Sequence, residues 1–352
     1  MKRKNKVLCI LLASLLLLAA LPAFSLAADV KTVSFCDYNV AGLPDFKAFI
    51  GKGTKDVKQN ELDIGKVLTS KNYDVIAVQE DFGYHSSLKS TLKGFDYETE
   101  HTGGIPGGDG MNVYSKYPIY NETRTKWNKA YGVIANGADE MTPKGILYCV
   151  IDLGDGVLVD LYDMHADAYG DAGSKAARRD NYKQLSELIN SRGTDRPVIV
   201  TGDFNAYFNM GENDDGLSEY FLEDCGMKEA WVELHNGGDY KDFSSYFATK
   251  VPAWGNWDSA EKFFYRDGGG VKVTPQTFSY EFFKSENGTE LSDHASASAV
   301  FTFEKTDEFK QSDVELSVTK RDAFNDFIKK IFVFMTDFFK ALVHLDELKG
   351  DI

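Results

Sequence analysis

Residues 196–206 read Arg-Pro-Val-Ile-Val-Thr-Gly-Asp-Phe-Asn-Ala. A short β-branched apolar run of this kind is a buried strand. It breaks at Gly202 and then presents Asp203 and Asn205. Residues two apart on a strand share a face, so the carboxylate and the amide point into one space. Taken alone, Gly-Asp-x-Asn also fits a strand end closing in an Asx turn. The case for a polar site comes from recurrence elsewhere in the chain.

Val33–Val40 is a strand-like run that ends at Asn39 before a Gly-Leu-Pro break. Tyr73–Asp81 is apolar and ends Gln79-Glu80-Asp81, and Val157–Asp167 reaches His165. Ser292-Asp293-His294 immediately precedes the apolar run 295–303. Asn39, Glu80, His165, Asp203, Asn205, Asp293 and His294 therefore stand at margins of buried strands, where one sheet edge could gather them. Carboxylates and carboxamides suit Mg2+ or a similar hard cation, and two histidines suit proton transfer near neutral pH.

The N-terminus opens with Lys2, Arg3, Lys4 and Lys6, runs apolar from Val7 to Leu21, and closes on Ser25-Leu26-Ala27. The short apolar core followed by a small-x-small site predicts a signal peptide over 1–27 and an exported mature chain. The segment carries four cations and no acids, so its removal takes the net charge from −15 to −19. Such acidity disfavours a protein whose affinity rests on a broad basic phosphate-binding face. Three cysteines outlast the signal, Cys36, Cys149 and Cys225, and they read as buried free thiols.

From 29 to about 304 no composition break resembles a linker. Strand-like runs fall at 30–36, 74–79, 111–115, 145–152, 157–164, 197–202, 262–266 and 296–303, with helical periodicity at 58–70 and 174–191. Many strands, few helices and long loops predict two packed sheets with helices outside.

Six segments in order, Tyr38-Asn39, Val78-Gln79-Glu80, Gly110–Ser115, His165, Gly202–Asn205 and Ser292-Asp293-His294, resemble the endonuclease/exonuclease/phosphatase superfamily. That group includes deoxyribonucleases, inositol polyphosphate phosphatases and neutral sphingomyelinases. The resemblance implies an α/β fold, a four-layer sandwich with its site at one end of two sheets, and a phosphoester hydrolase using Mg2+, or Mn2+ or Ca2+ in its place. It implies Glu80 as principal metal ligand, Asn39 as helper of metal and phosphate, and Asp293 as a second-metal or orienting residue. Asp203 resembles the residue that orients or deprotonates the attacking water, with Asn205 beside it. His165 and His294 resemble the pair that contact phosphoryl oxygens. Where the family carries an aspartate supporting the last histidine, this chain has Glu261, with Asp258 as a fallback. The substrate stays open among nucleic acid, a phospholipid head group and inositol phosphates.

Other candidates have plainer readings. His85, His101 and His235 lie in polar loops and read as surface residues, Lys144 as an exposed lysine, and Arg178 or Arg179 as part of a salt-bridge network. The Gly-rich run 103–110 lacks the lysine of a nucleotide-binding loop and reads as a flexible connection. Trp127, Trp254, Trp257 and Tyr131 could stack on a base or dip into lipid. Beyond 304, residues 305–319 read as a polar linker. In 320–352, ten apolar residues from Phe324 to Val343 follow helical spacing. The expectation is an amphipathic helix over 321–345 that docks on a membrane, an envelope or a partner.

Overall fold

The structure is a computed structural model that describes residues 30–43, 56–105, 107–132, 139–140, 142–208, 215–242 and 259–318. The expected signal peptide and C-terminal amphipathic helix, with Asp258, Trp254 and Trp257, lie outside these residues.

Two six-stranded mixed sheets carry the chain, in the orders β11-β12-β1-β2-β4-β3 and β5-β6-β7-β8-β10-β9, where β3 is Tyr97–Glu98, β4 Asn112–Ser115, β6 Gly145–Asp152 and β9 Lys228–Glu229. In the first, β1 (Val30–Asn39) runs parallel to β2 (Val75–Gln79) and antiparallel to β12 (Ser296–Lys305). In the second, β7 (Leu158–His165) runs parallel to β8 (Val198–Asp203), which pairs antiparallel with β10 (Glu261–Arg266). Helix α1 (Val57–Lys71) crosses over between β1 and β2, and α3 (Ala172–Ser191) between β7 and β8. The result is the α/β sandwich that the resemblance implied.

Alternation explains the layering. Val33 and Phe35 of β1 face the second sheet, while Cys36, Tyr38 and Val40 join Ile64 and Leu68 of α1 in a separate outer cluster. Between the sheets Phe35 meets Phe263 of β10 and Phe301 of β12, ring centroids 6.4 and 5.9 Å apart. On the other side Tyr182 of α3 stacks against Phe204 and Phe221. All three cysteines are buried and free, as expected.

Every strand foreseen from apolar runs is present within a few residues. β5 (Ile119–Lys126) and β11 (Val271–Glu281) were not foreseen. Each is a sheet edge with one partner. The first is largely polar, and the second carries Pro275 at an irregularity in its pairing with β12, so neither shows the apolar signature of a central strand.

One expectation is corrected. Residues 305–318 do not form a free linker. Phe309 and Leu316 pack against the main core, Arg196 donates to Ser312 Oγ at 3.1 Å, and Ser317 exchanges backbone and side-chain hydrogen bonds with Asn121. The stretch is polar because most of it faces solvent, while Phe309, Ser312, Leu316 and Ser317 hold it to the body.

Candidate active site

The site starts from strand register. His165 pairs with Asp203 across β7 and β8, and Asp203 pairs with Glu261 across β8 and β10. Three neighbouring strand ends thus place imidazole and two carboxylates in one row, about 5 Å apart per step. Gly202 makes the row possible. Its φ is +135°, and a Cβ there would lie 1.9 Å from the Met164 carbonyl oxygen. Beyond it the Asx turn foreseen from Gly-Asp-x-Asn does form: Asn205, at φ 52°, donates its N–H to Asp203 Oδ1 at 2.9 Å. Turn and site are the same structure, which leaves Asp203 Oδ2 to face inward.

That oxygen is the focus of the cluster. His165 Nε2 lies 3.4 Å from it and His294 Nε2 3.9 Å. Asn39, arriving from the other sheet, donates Nδ2 to Asp203 Oδ2 at 3.1 Å and to Glu80 Oε1 at 3.2 Å. Its Oδ1 accepts the Ala41 N–H at 3.0 Å, which fixes the amide. Asn39 therefore bridges the two carboxylates.

Glu261 supports His294 as the resemblance suggested for that position: its Oε1 lies 2.5 Å from His294 Nδ1, and Ser259 Oγ donates to its other oxygen. The extra methylene of glutamate is accommodated because Glu261 begins β10 directly opposite Asp203. Ser292 Oγ donates to the Asn39 carbonyl at 2.7 Å and accepts the His294 N–H at 3.1 Å, tying the final loop to β1. Sequence reading missed Ser259 and gave Ser292 no role beyond its place in a motif, since a serine in a loop carries no signal of its own.

Electrostatics sharpen the roles. Burial alone would raise the Asp203 carboxyl, but His294, with the hydrogen bond and charge of His165, holds it well below the usual carboxylate range. Burial alone would lower His294, but Asp203 and then Glu261 push it well above the usual histidine range. Each partner thus favours the charged form of the other.

Glu80 ends the β2 region at φ 60°, a left-handed conformation uncommon for a non-glycine residue. Among the described residues no ion pair neutralises it. A half-buried, unneutralised carboxylate facing a row of polar groups fits a hard divalent cation, and Asp203, Glu261 and His294 also present one ligand atom each within 4.8 Å of one another. Asp293 is exposed and stands outside that group.

Several sequence readings change. Lys144 is half-buried, pairs with Asp139 at 2.5 Å and reaches the Ala166 carbonyl. Trp127 donates Nε1 to the His165 carbonyl at 2.7 Å, so it positions a strand end. The Gly-rich run is pinned at Asp109, which accepts two hydrogen bonds from Arg124 Nη1 and one from Thr102. Arg178 does join a salt bridge, to Asp215 at 2.6 Å. His85 and His101 are not plain surface residues: their rings stack 3.9 Å apart beside buried Asp81.

Fold and site together define an α/β sandwich with its polar residues gathered where the strand ends of two sheets meet. The chain belongs to the Endonuclease/Exonuclease/phosphatase family, which matches residues 38–271. It is 31% identical over 279 residues to a protein named sphingomyelinase from Mycobacterium bovis and, equally, to one from Mycobacterium tuberculosis. The match covers 77% of this chain and 52% of those relatives, so the chain spans about half their length. Among solved structures it resembles sphingomyelinase C from Streptomyces griseocarneus (TM-score 0.54, 19% identity, 77% of this chain and 99% of that one). A humanized D. rerio TDP2 gives 0.55 at 14% identity, covering 77% and 98%. A Staphylococcus aureus beta toxin variant with bound magnesium ions gives 0.53 at 16%, covering 78% and 100%.

Proposed function

We propose that this protein is an exported, divalent-metal-dependent phosphodiesterase that cleaves the head group of a sphingomyelin-type phospholipid by in-line attack of water. The observation that carries the reaction is Asp203 Oδ2, flanked by His165, His294 and Asn39, next to Glu80, which no ion pair neutralises among the described residues. The likeness to proteins named sphingomyelinase supports the substrate, and the acidity of the chain disfavours nucleic acid. The 1–27 segment supports export.

Glu80 is the residue that would hold the cation, with Asn39 fixing its carboxylate. When bound, the ion would withdraw charge from a phosphoryl oxygen. Asp203 is too weak a base to be a strong proton sink, so it orients the attacking water and keeps His294 charged. The His294 imidazolium, braced at Nδ1 by Glu261, presents Nε2–H to the phosphoryl oxygens or the leaving oxygen. As the water oxygen bonds to phosphorus and the ester bond breaks, the leaving oxygen takes that proton, while the attacking water releases one proton to solvent, from which His294 is recharged. His165 contributes from the opposite side of Asp203.

Sphingomyelin vesicles, plasmid DNA, RNA and inositol phosphates are assayed side by side with Mg2+. Phosphocholine release from the vesicles should dominate and vanish with chelator or in Glu80→Ala. Preferential cleavage of DNA, RNA or inositol phosphates would overturn the substrate, and chelator-insensitive turnover would overturn the metal.

A further inference from the structure

Apart from the Glu80 centre, the described residues contain a second group of three side chains whose ligand atoms all lie within 4.8 Å: Asp81, His85 and His101. We propose that these three form a separate site for a borderline transition-metal ion of the Zn2+ or Co2+ kind. The proposal does not depend on the phosphodiesterase reading.

The donors come from two stretches of chain. Asp81 follows Glu80, and His85 opens α2 (His85–Thr91) four residues later. His101, just beyond β3, lies flat on His85, centroids 3.9 Å apart and planes 11° from parallel. His85 Nδ1 is 2.7 Å from Asp81 Oδ2. His101 Nε2 is 3.1 Å from the carbonyl oxygens of both Asp81 and Phe82. A simple Asp–His pair would explain His85. It would not explain a second imidazole whose ring nitrogen converges on the same turn.

Two further observations point to an ion. Asp81 is fully buried, and its Oδ1 has no hydrogen-bond partner. Its Oδ2 is held by Asn112 Nδ2 at 2.9 Å and Tyr114 OH at 3.2 Å, the outer hydrogen bonds that typically orient a ligating carboxylate. Tetrahedral donors at ~2.1 Å from one ion stand about 3.4 Å apart, so the 2.7 Å spacing of His85 Nδ1 and Asp81 Oδ2 must open when the ion binds. Two imidazoles and one carboxylate select a borderline ion over Mg2+. Its place beside Glu80 would clamp the left-handed turn that aims that carboxylate.

Full-length protein freed of metal by chelation is titrated with Co2+, read by ligand-field absorption and calorimetry. One Co2+ should bind with nitrogen-ligand bands, resist a large excess of Mg2+ and be displaced by Zn2+. The bands should persist in Glu80→Gln and in His294→Asn, and affinity should fall about 100-fold or more in His85→Ala and His101→Ala. Where an alanine variant does not fold, His101→Gln keeps a donor for the two carbonyls and should lose the ion alike. Bands that survive His101→Gln or disappear in His294→Asn would overturn the proposal. So would displacement by Mg2+ or no Co2+ binding.

Discussion

Asn39, at the end of β1, and Asp203, at the end of β8, are joined by a 3.1 Å hydrogen bond that crosses from one sheet to the other. The same amide nitrogen reaches Glu80 at 3.2 Å. One uncharged side chain thus sets the spacing between the carboxylate that would hold the cation and the one that orients water.

Asn39→Ala should leave the fold intact and lower kcat on the order of 10²-fold, the scale of a lost positioning group. Asn39→Asp should do worse, because it sets a third carboxylate against two. Steady-state kinetics on a soluble phosphodiester, with circular dichroism as the folding control, decide the matter. Equal rates in wild type and Asn39→Ala would remove the bridge from the mechanism.

Glu261 raises His294, second only to Asp203 among the nearby charges. Glu261→Gln should therefore let the imidazolium lose its proton at lower pH. The basic limb of the pH–rate profile should move toward acid, with the acid limb little changed. Glu261→Asp should keep the limb near its wild-type place. An unmoved basic limb in Glu261→Gln would show that Glu261 does not act through His294.

Gln79 donates to Asp37 and Asp163 at 2.7 Å each, between the sheets, where both acids are completely buried. Burial pushes the Asp163 carboxyl well above its ordinary 3.8. A carboxyl raised in the native state stabilises below the unfolded value, and that stability is lost as pH rises through the native one. Asn does not titrate. The Tm of Asp163→Asn minus that of wild type should be smallest in acid below about 4 and increase as pH rises. A difference that stays flat with pH would show that the acid is ionised throughout.

Because residues 305–318 are tied to the body, the place of truncation matters. Ending the chain after Val318 should preserve Tm and turnover of a small soluble phosphodiester, while reducing binding to sphingomyelin vesicles if the apolar 321–345 stretch reaches lipid. Ending it after Thr306 should also lower Tm by several degrees, since it removes Phe309, Leu316 and the Asn121–Ser317 exchange. Unimpaired vesicle binding after Val318 truncation would exclude the lipid role.

The central strands were legible because each is an apolar run with a polar stop, and the stops were the site. Asp203, His165 and Glu261 share a row for a reason no single segment shows: parallel and antiparallel register must bring three distant strand ends level. The edge strands β5 and β11 escaped because one-sided pairing tolerates polar residues and proline. Asn39 was legible as a site residue, but its amide direction depends on the Ala41 N–H, a backbone contact with no sequence mark. His85 and His101 look like loop histidines until folding stacks them.

Val30, in the first described strand, pairs with Glu304 of β12, and His294 lies just before that strand. The first sheet therefore cannot close, nor can His294 reach Asp203, until nearly the whole chain has emerged. Pairing so remote in sequence forms late and slowly. During synthesis the protein would consequently hold every other residue of its site without being able to use them, and hydrolytic activity would arrive with its last strand.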